Sequence, residues 1–256
     1  MKSLYARCYD PRMRHAEFND PRLVAVYDAE CPWSREDDFF LSVVNETLAA
    51  RVLDLGCGTG RLALGISAAG HSVTGVDPVQ ASLEAARVKP GAGQVTWIEG
   101  TSPDLPDASF DVAVMTSHVA QFFVQYSEWE RTLADLKRTL VLGGRLVFET
   151  RDPEDRGWEK WNAEDSFRRI TLPDGRVVEA WTEVTDIRDG AVSFAIHYEF
   201  PDGEALLSTA TLRFRPEDHV RTFLEHAGFV VEQIYGGWNR ENVGAEDGEL
   251  LVIARA

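Results

Sequence analysis

Hydrophobic positions between residues 51 and 150 follow two alternating patterns. Short runs rich in valine, leucine and isoleucine predict strands buried on both faces at 51–55, 71–77, 94–99, 110–115 and 145–150. The intervening segments predict amphipathic helices at 61–69, 79–89 and 127–142, the last with the capping-box pair Ser127 and Glu130. Strands that alternate with helices favour right-handed crossovers and therefore a doubly wound, parallel α/β sheet.

The chain after residue 151 follows a different pattern. β-rich runs broken by two Pro-Asp-Gly turns predict an antiparallel meander with strands at 167–172, 176–186, 191–200 and 205–214. A helix from Pro216 to Gly228 and two final strands, at 229–235 and 249–254, are predicted to complete the main sheet. The predicted core therefore covers residues 51–151 and 216–256, and an insertion covers residues 152–215.

Residues 1–50 predict a helical cap, with a buried face formed by Phe39, Phe40, Val43, Val44 and Leu48. The core fold supplies no roof over a ligand, so the roof has to come from the cap or from the insertion. The cap offers the aromatic residues Tyr5, Tyr9, Tyr27 and Trp33. For the insertion we keep two alternatives, a lid over the site and a homodimer contact through exposed strand edges.

Composition narrows the classes of partner. Asp and Glu number 42 against 26 Lys and Arg, for a net charge of −16, which disfavours nucleic acid and anionic membrane surfaces as partners. The cysteines Cys8, Cys31 and Cys57 form no CxxC pair, and no apolar run approaches the ~20 residues that span a bilayer. The six histidines are scattered, so no metal site is expected. These features indicate a cytoplasmic protein with reduced thiols.

A glycine turn follows the first predicted strand, in the sequence VLDLGCGTG of residues 52–60. Glycines are required where the backbone turns tightly and approaches a ligand. Asp54 precedes the first glycine by two positions, and a carboxylate there would repel a pyrophosphate at the helix N-terminus. It suits a ligand that is positively charged at this point, such as an amino group or a sulfonium.

Asp77 ends the second predicted strand, 21 residues after Gly56. An acid at this place accepts hydrogen bonds from the ribose hydroxyls of an adenosine. Asp54 and Asp77 together therefore indicate an adenosine with a positively charged tail. A nicotinamide-dependent dehydrogenase is disfavoured by Asp54 and by the absence of the GxGxxG spacing.

The stretches VLDLGCGTG, GVDP and LxxGGxLVFE resemble the class I S-adenosylmethionine-dependent methyltransferases, over about residues 45–150. The resemblance implies a Rossmann-like sheet of seven strands in the order 3-2-1-4-5-7-6, with the last strand antiparallel. It implies S-adenosylmethionine as cofactor and S-adenosylhomocysteine as product. The seven strands predicted outside the insertion agree with this fold.

The resemblance also implies roles for individual residues. The methionine part of the cofactor would be surrounded by Asp54, Gly56, Cys57, Gly58 and Gly60. Asp77 would hold the ribose, Pro78 would pack on the adenine, and the turn Gly100, Thr101 and Ser102 would meet the adenine edge. Many family members carry an acid where this chain has Thr101, so the chain departs from the family pattern at that contact.

Residues 115–123, at the end of the fourth strand, are expected to face the reacting methyl group, with Met115 among the cofactor contacts. The Asn/Asp-Pro-Pro-aromatic motif of nucleobase amino-methyltransferases is missing there, which favours a small-molecule or peptide acceptor. His118 is the candidate general base for a hydroxyl acceptor. The alternative for His118 is a hydrogen bond to the cofactor backbone or a role in pocket shape. Further pocket candidates are Tyr27, Trp33, Gln121, Phe122, Phe123 and Arg151. The alternative for Phe122 and Phe123 is a core position, and the alternative for Arg151 is a solvated arginine.

The leading function is methyl transfer to nitrogen or oxygen of a small-molecule or peptide acceptor. The alternative from another class is a catalytically silent scaffold subunit that binds S-adenosylmethionine. The glycine turn and the two acids do not separate these readings, because both require the cofactor.

Overall fold

The computed structural model describes residues 13–244 and 248–256, so Tyr5, Cys8 and Tyr9 lie outside the described residues. Its strands are β1 Arg51–Leu55, β2 Ser72–Asp77, β3 Val95–Glu99, β4 Phe110–Met115, β5 Leu140–Arg151, β6 Arg168–Thr171, β7 Val177–Arg188, β8 Ala191–Glu199, β9 Ala205–Arg213, β10 Val230–Tyr235 and β11 Glu249–Arg255. Its helices are α1 Ala16–Asn19, α2 Pro21–Glu30, α3 Arg35–Val44, α4 Arg61–Ala68, α5 Gln80–Arg87, α6 Val119–Phe122, α7 Tyr126–Thr139 and α8 Glu217–His226.

The main sheet has seven strands in the order β3-β2-β1-β4-β5-β11-β10. Strands β1 to β5 pair in parallel, and β11 is antiparallel to both β5 and β10. This arrangement confirms the predicted Rossmann-like sheet. The strand order reverses between β1 and β4, and in open α/β sheets a ligand binds in the crevice beyond the strand ends at such a point.

Apolar side chains cover both faces of the main sheet. One core cluster joins the sheet to α7 and α8 through Trp129, Leu133 and Leu224. The other joins it to α3 and α4 through Phe40 and Ile66. Burial on both faces explains why the strands of this sheet show hydrophobic runs instead of alternation.

The insertion forms a separate antiparallel sheet in the order β6-β7-β8-β9, as predicted. Its inner face packs on the cap, where Leu23 and Val26 of α2 contact Val178 and Tyr198. The backbone N–H of His15 also donates a 2.9 Å hydrogen bond to the carbonyl of Thr209 in β9. Helices α1 and α2 of the cap therefore pack on the insertion, while α3 packs on the main sheet. The role of the insertion as a homodimer contact stays a prediction.

Three local predictions are wrong. Helix α7 begins at Tyr126 after Gln125, with no side-chain cap hydrogen bond, so Ser127 lies inside the first turn and forms no capping box. The helix ends at Thr139 instead of residue 142, because Leu140 already pairs with Phe110 in the main sheet. Leu48 is 92% exposed, because α3 ends at Val44 and the chain turns away from the core before residue 48.

In the described ranges, no helix combines the length and the apolar character that a bilayer crossing requires.

Candidate active site

A cleft of about 820 Å³ opens at the carboxyl ends of β1, β2 and β4. Twelve of the residues that the sequence assigned to the site line it: Tyr27, Asp54, Gly56, Cys57, Gly58, Asp77, Pro78, Gly100, Thr101, Ser102, Phe122 and Phe123. Six others are not among its lining residues: Trp33, Gly60, Met115, His118, Gln121 and Arg151. The turn after β1, the end of β2 and the turn after β3 are thus brought together in one cleft.

The glycine turn lies at the floor of this cleft, and its three glycines have positive φ angles of +77°, +50° and +80°. A Cβ on Gly56 would lie 2.6 Å from the side chain of Val119, and one on Gly60 would lie 2.5 Å from the ring of Trp97. A Cβ on Gly58 would meet nothing within 4 Å. Packing therefore requires glycine at positions 56 and 60, whereas at position 58 the backbone is left open toward the cleft.

Asp77 stabilises the glycine turn through hydrogen bonds to the backbone. One carboxylate oxygen accepts a 2.9 Å hydrogen bond from the N–H of Gly58, and the other accepts one of 2.8 Å from the N–H of Val79. Burial raises the pKa of Asp77, and the two backbone N–H groups oppose this by favouring the ionised form. Each oxygen keeps a second lone pair, so the carboxylate can still accept two hydrogen bonds from a ligand.

Asp54 is buried at 1% exposure, and its Oδ1 atom has no hydrogen-bond partner. Burial raises the pKa of this carboxyl to about 7, and the neighbouring charge of Asp77 adds to the rise, while Arg61 opposes it. An unpartnered carboxylate oxygen in a buried position is costly, and a cation at this end of the cleft would compensate it. Asp54 therefore indicates a positively charged ligand group, as the sequence predicts.

The cap closes the other side of the cleft with aromatic side chains. The rings of Phe18 and Tyr27 meet edge to face at 5.5 Å, and Phe122 lies 5.8 Å from Phe18 and 5.4 Å from His15. The hydroxyl of Tyr27 is hydrogen-bonded to Ser117, directly after β4. We call His15, Phe18, Tyr27, Cys31 and Phe122 the cap wall; all of them line the cleft.

The titratable groups of the cap wall are uncharged near neutral pH. Burial lowers the pKa of His15 to about 4, and the charge of Arg14 adds to this. Burial raises the pKa of Tyr27 to about 12 and that of Cys31 to about 11. Sequence reasoning missed His15 and Phe18, because α1 is short and carries no periodic signal that would orient its side chains.

His118 is not among the residues that line the cleft. Its backbone is left-handed with φ +61°, and its N–H donates a 2.7 Å hydrogen bond to a carboxylate oxygen of Glu149. Its ring Nε2 lies 3.0 Å from Glu249 in β11. Burial lowers the pKa of His118, and the charge of Arg151 adds to this, against the effect of Glu249. This ring has a structural partner, and the geometry gives no support to the role of general base.

Gln121 and Arg151 belong to the same polar cluster outside the cleft. An Nη1 hydrogen of Arg151 bonds the amide oxygen of Gln121 at 2.9 Å, and its guanidinium lies over the ring of Trp161 at 5.6 Å. Trp33 lies on the outer surface, where its indole N–H donates a 2.8 Å hydrogen bond to Asp38. Met115 is fully buried in the core beneath the cleft. These residues therefore shape the surroundings of the cleft without lining it.

Comparison with known proteins identifies the family of this chain. A family model described as a methyltransferase domain matches residues 52–144. The cypemycin N-terminal methyltransferase of a Streptomyces species is 30% identical over 209 residues, which are 79% of this chain and 81% of that protein. The chain belongs to the S-adenosylmethionine-dependent methyltransferases. The enzyme is of class I and uses S-adenosylmethionine as methyl donor.

Solved structures of methyltransferases share the whole fold, including the insertion. The CcbJ methyltransferase of Streptomyces caelestis has a TM-score of 0.75 at 19% identity, with 97% of this chain and 99% of that chain covered. CalS10, an amino pentose methyltransferase from Micromonospora echinaspora, has a TM-score of 0.68 at 22% identity, with 91% and 95% covered. At these identities the similarity shows the fold alone.

The cleft residues fit this donor. Asp54 offers one unpartnered, buried carboxylate oxygen to a cationic group, Gly58 leaves space that a side chain would fill, and Asp77 keeps free lone pairs for ribose hydroxyls. Within the described parts of the chain, no group of three or more His, Cys, Asp or Glu side chains is arranged to hold a metal ion.

Proposed function

We propose that this enzyme methylates the nitrogen of an amine that enters the cleft uncharged, carried by a small molecule or a peptide. The observation that supports a nitrogen acceptor is the neutral character of the cap wall. When bound, S-adenosylmethionine supplies a methyl group on a positively charged sulfur with a good leaving group. Positioning and exclusion of water are then the main tasks of the protein.

We infer that the predicted binding residues hold the donor along the floor of the cleft. Asp54 would accept from its ammonium group, the backbone at Gly58 would lie against its methionine part, and Asp77 would accept from the ribose hydroxyls. Pro78 would pack on the adenine, and the turn of residues 100–102 would meet the edge of that base. Ser117 and the cap wall would then form the acceptor side of the cleft.

The cap wall favours an acceptor that needs no base. A hydroxyl acceptor usually has to lose a proton to a group that titrates near working pH, and His15, Tyr27 and Cys31 have pKa values of about 4, 12 and 11. An amine already carries its lone pair once it is neutral. An apolar, uncharged wall disfavours the ammonium form and so lowers the pKa of an amine that enters the cleft. The cap wall therefore favours the neutral amine, which is the form that accepts a methyl group.

The names of similar proteins agree with a nitrogen acceptor. The cypemycin enzyme is an N-terminal methyltransferase, and CalS10 acts on an amino pentose. A peptide amino terminus and an amino sugar belong to different classes of molecule, but both present an amine as the reacting group. We therefore propose an amine as the acceptor group, and the experiment below tests which class of molecule carries it.

The test is a panel of matched amines and alcohols, such as phenethylamine with 2-phenylethanol and an amino sugar with its parent sugar, together with a short peptide. Release of S-adenosylhomocysteine and the mass and fragmentation of each product are measured. We expect turnover with amines and none with their matched alcohols. An O-methylated product without any N-methylated one would refute the proposal. Tight donor binding without turnover on the whole panel would favour the scaffold alternative.

A further inference from the structure

Arg61 is a cleft residue to which neither the sequence motifs nor the relatives assign a role. It is the first residue of α4, directly after the glycine turn, and its side chain is 20% exposed. Of the described residues that line the cleft, two are arginines and none is a lysine. The other, Arg131, is exposed on α7, and its Nε donates to the carbonyl of Ser127 in the same helix. Among the described residues that line the cleft, Arg61 is therefore the positively charged one beside the glycine turn.

The guanidinium of Arg61 is held rigidly by the cap. Its Nε donates a 2.9 Å hydrogen bond to Asp37, which is buried at 1% exposure. Its Nη1 donates to the carbonyls of Cys31 at 3.0 Å and Pro32 at 3.4 Å. Its Nη2 donates to the hydroxyl of Ser117 at 3.2 Å. A guanidinium has five N–H groups, so these bonds use four and leave one hydrogen on Nη2 for a further acceptor.

The Nη2 atom that keeps this hydrogen is hydrogen-bonded to a residue that itself lines the cleft. Arg61 and Ser117 both line the cleft, and Ser117 follows β4 in a left-handed conformation with φ +56°. Such strained backbone is retained where the surroundings enforce it, commonly at functional sites. The positive charge of Arg61 also lowers the pKa of Asp54, against the effect of burial, so the two opposite charges act on the same end of the cleft.

A cation and an anion side by side suit a ligand that carries both charges. The amino-acid part of S-adenosylmethionine has an ammonium and a carboxylate on one carbon atom. We propose that Arg61 binds the carboxylate of the methionine part through its free Nη2 hydrogen, while Asp54 accepts from the ammonium. This proposal rests on the donor position given above. Hydrogen bonds between charged partners are stronger than those between neutral partners. The Arg61 guanidinium is already held through Nε, Nη1 and Nη2, so it needs little reorganisation to form one more bond.

The test compares two ligands that differ in the carboxylate alone. S-adenosylhomocysteine carries it, and the decarboxylated analogue S-adenosyl-3-thiopropylamine keeps the amine and lacks the carboxylate. Calorimetry gives the dissociation constant of each ligand for the wild type, Arg61→Met, Arg61→Lys and the control Lys89→Met. Lys89 is a matched control, because it donates to the Thr59 carbonyl behind the glycine turn and is not among the cleft-lining residues.

We expect the wild type to prefer S-adenosylhomocysteine by at least tenfold. Arg61→Met should reduce this preference below threefold, Arg61→Lys should keep part of it, and Lys89→Met should keep all of it. A ratio of affinities separates carboxylate binding from damage to the cap, since cap damage weakens both ligands alike. Equal wild-type affinities for the two ligands would overturn the proposal even if Arg61→Met does not fold, and an unchanged ratio in a folded Arg61→Met would do so as well.

The experiment needs no acceptor, so its outcome is independent of whether amines are methylated. A panel that produces O-methylated products would refute the nitrogen acceptor and leave the ligand ratio unaffected.

Discussion

The carboxylate of Asp28 in α2 accepts a 2.5 Å hydrogen bond from the hydroxyl of Thr59 in the glycine turn. Lys89 lies against both residues, with its ammonium 2.8 Å from Asp28 and 2.8 Å from the Thr59 carbonyl. Asp28 is adjacent to Tyr27 of the cap wall. The cap is thus tied to the turn that forms the cleft floor, and cap position and donor binding should depend on each other.

Asp28→Ala should weaken donor binding by about tenfold. The loss of a hydrogen bond to a charged group costs roughly 1.5–3 kcal/mol, and part of this cost should destabilise the glycine turn that forms the cleft floor. Calorimetry with S-adenosylhomocysteine measures the effect, and hydrogen exchange should accelerate in α2. Glu30→Ala is the control, because Glu30 lies on the same helix and pairs with Arg168 of the insertion. Equal affinities for wild type and Asp28→Ala would show that the tie has no role in binding.

Asp54→Asn should separate stability from binding. The pKa of Asp54 is raised from 3.8 to about 7, so between these pH values the folded protein holds a proton that the unfolded chain has lost. The contribution of Asp54 to stability therefore falls as pH rises through that window. At pH 8 the neutral amide should raise the free energy of unfolding of the ligand-free protein by about 1 kcal/mol and weaken donor binding more than tenfold. Denaturant unfolding and calorimetry check the two effects, and a less stable variant with unchanged binding would contradict both.

Donor affinity should rise with pH. Asp54 has a pKa of about 7, and only its ionised form attracts an ammonium group. The pKa of Asp77 is raised as well, which acts in the same direction. From pH 8 to pH 6, the dissociation constant for S-adenosylhomocysteine should increase by about fivefold to tenfold. Asp54→Asn should show a much flatter profile, and a wild-type profile as flat as that of the variant would argue against the role of this carboxylate.

Two glycine substitutions should have different consequences. Gly58→Ala and Gly60→Ala share the cost of a side chain at positive φ, about 1 kcal/mol. The new Cβ of Gly58→Ala projects into open space of the cleft, so donor affinity should fall about tenfold. The Cβ of Gly60→Ala would lie 2.5 Å from Trp97, so thermal stability should fall further. Identical effects of both variants on melting and binding would contradict this division.

His118→Gln should retain turnover within about tenfold of the wild type on any amine that is methylated, because the His118 ring is paired with Glu249 outside the cleft. The expected loss is in stability, because the buried carboxylate of Glu249 loses its ring partner. A decrease in turnover beyond a hundredfold at unchanged donor affinity would restore this histidine as general base.

The sequence predicts the sheet and the cleft floor well for a physical reason. Buried strands show continuous hydrophobic runs, and Asp54, Gly58 and Asp77 occupy fixed places relative to strand ends, so local spacing is enough to bring them together. The capping box at Ser127 fails because the helix begins at Tyr126 after Gln125, so Ser127 is the second helical residue instead of the residue that precedes the helix.

The other contacts around the site are less accessible to sequence reasoning, because they join distant parts of the chain. His118 pairs with Glu249, which lies 131 residues away, and Arg61 meets Asp37 across 24 residues. No periodicity encodes such pairs. The backbone of Ser117 and His118 is also left-handed, a conformation that the sequence of a strand-to-helix junction does not predict.

The two hydrogen bonds by which Asp77 fixes Gly58 and Val79 have a consequence for engineering. The same carboxylate would serve as nucleoside receptor and as scaffold of the loop, so altering it to accept a different base or sugar would dismantle the loop as well. Redesign toward synthetic donors with bulkier alkyl groups should start at Phe18 and Phe122, whose side chains can be trimmed without disturbing that backbone.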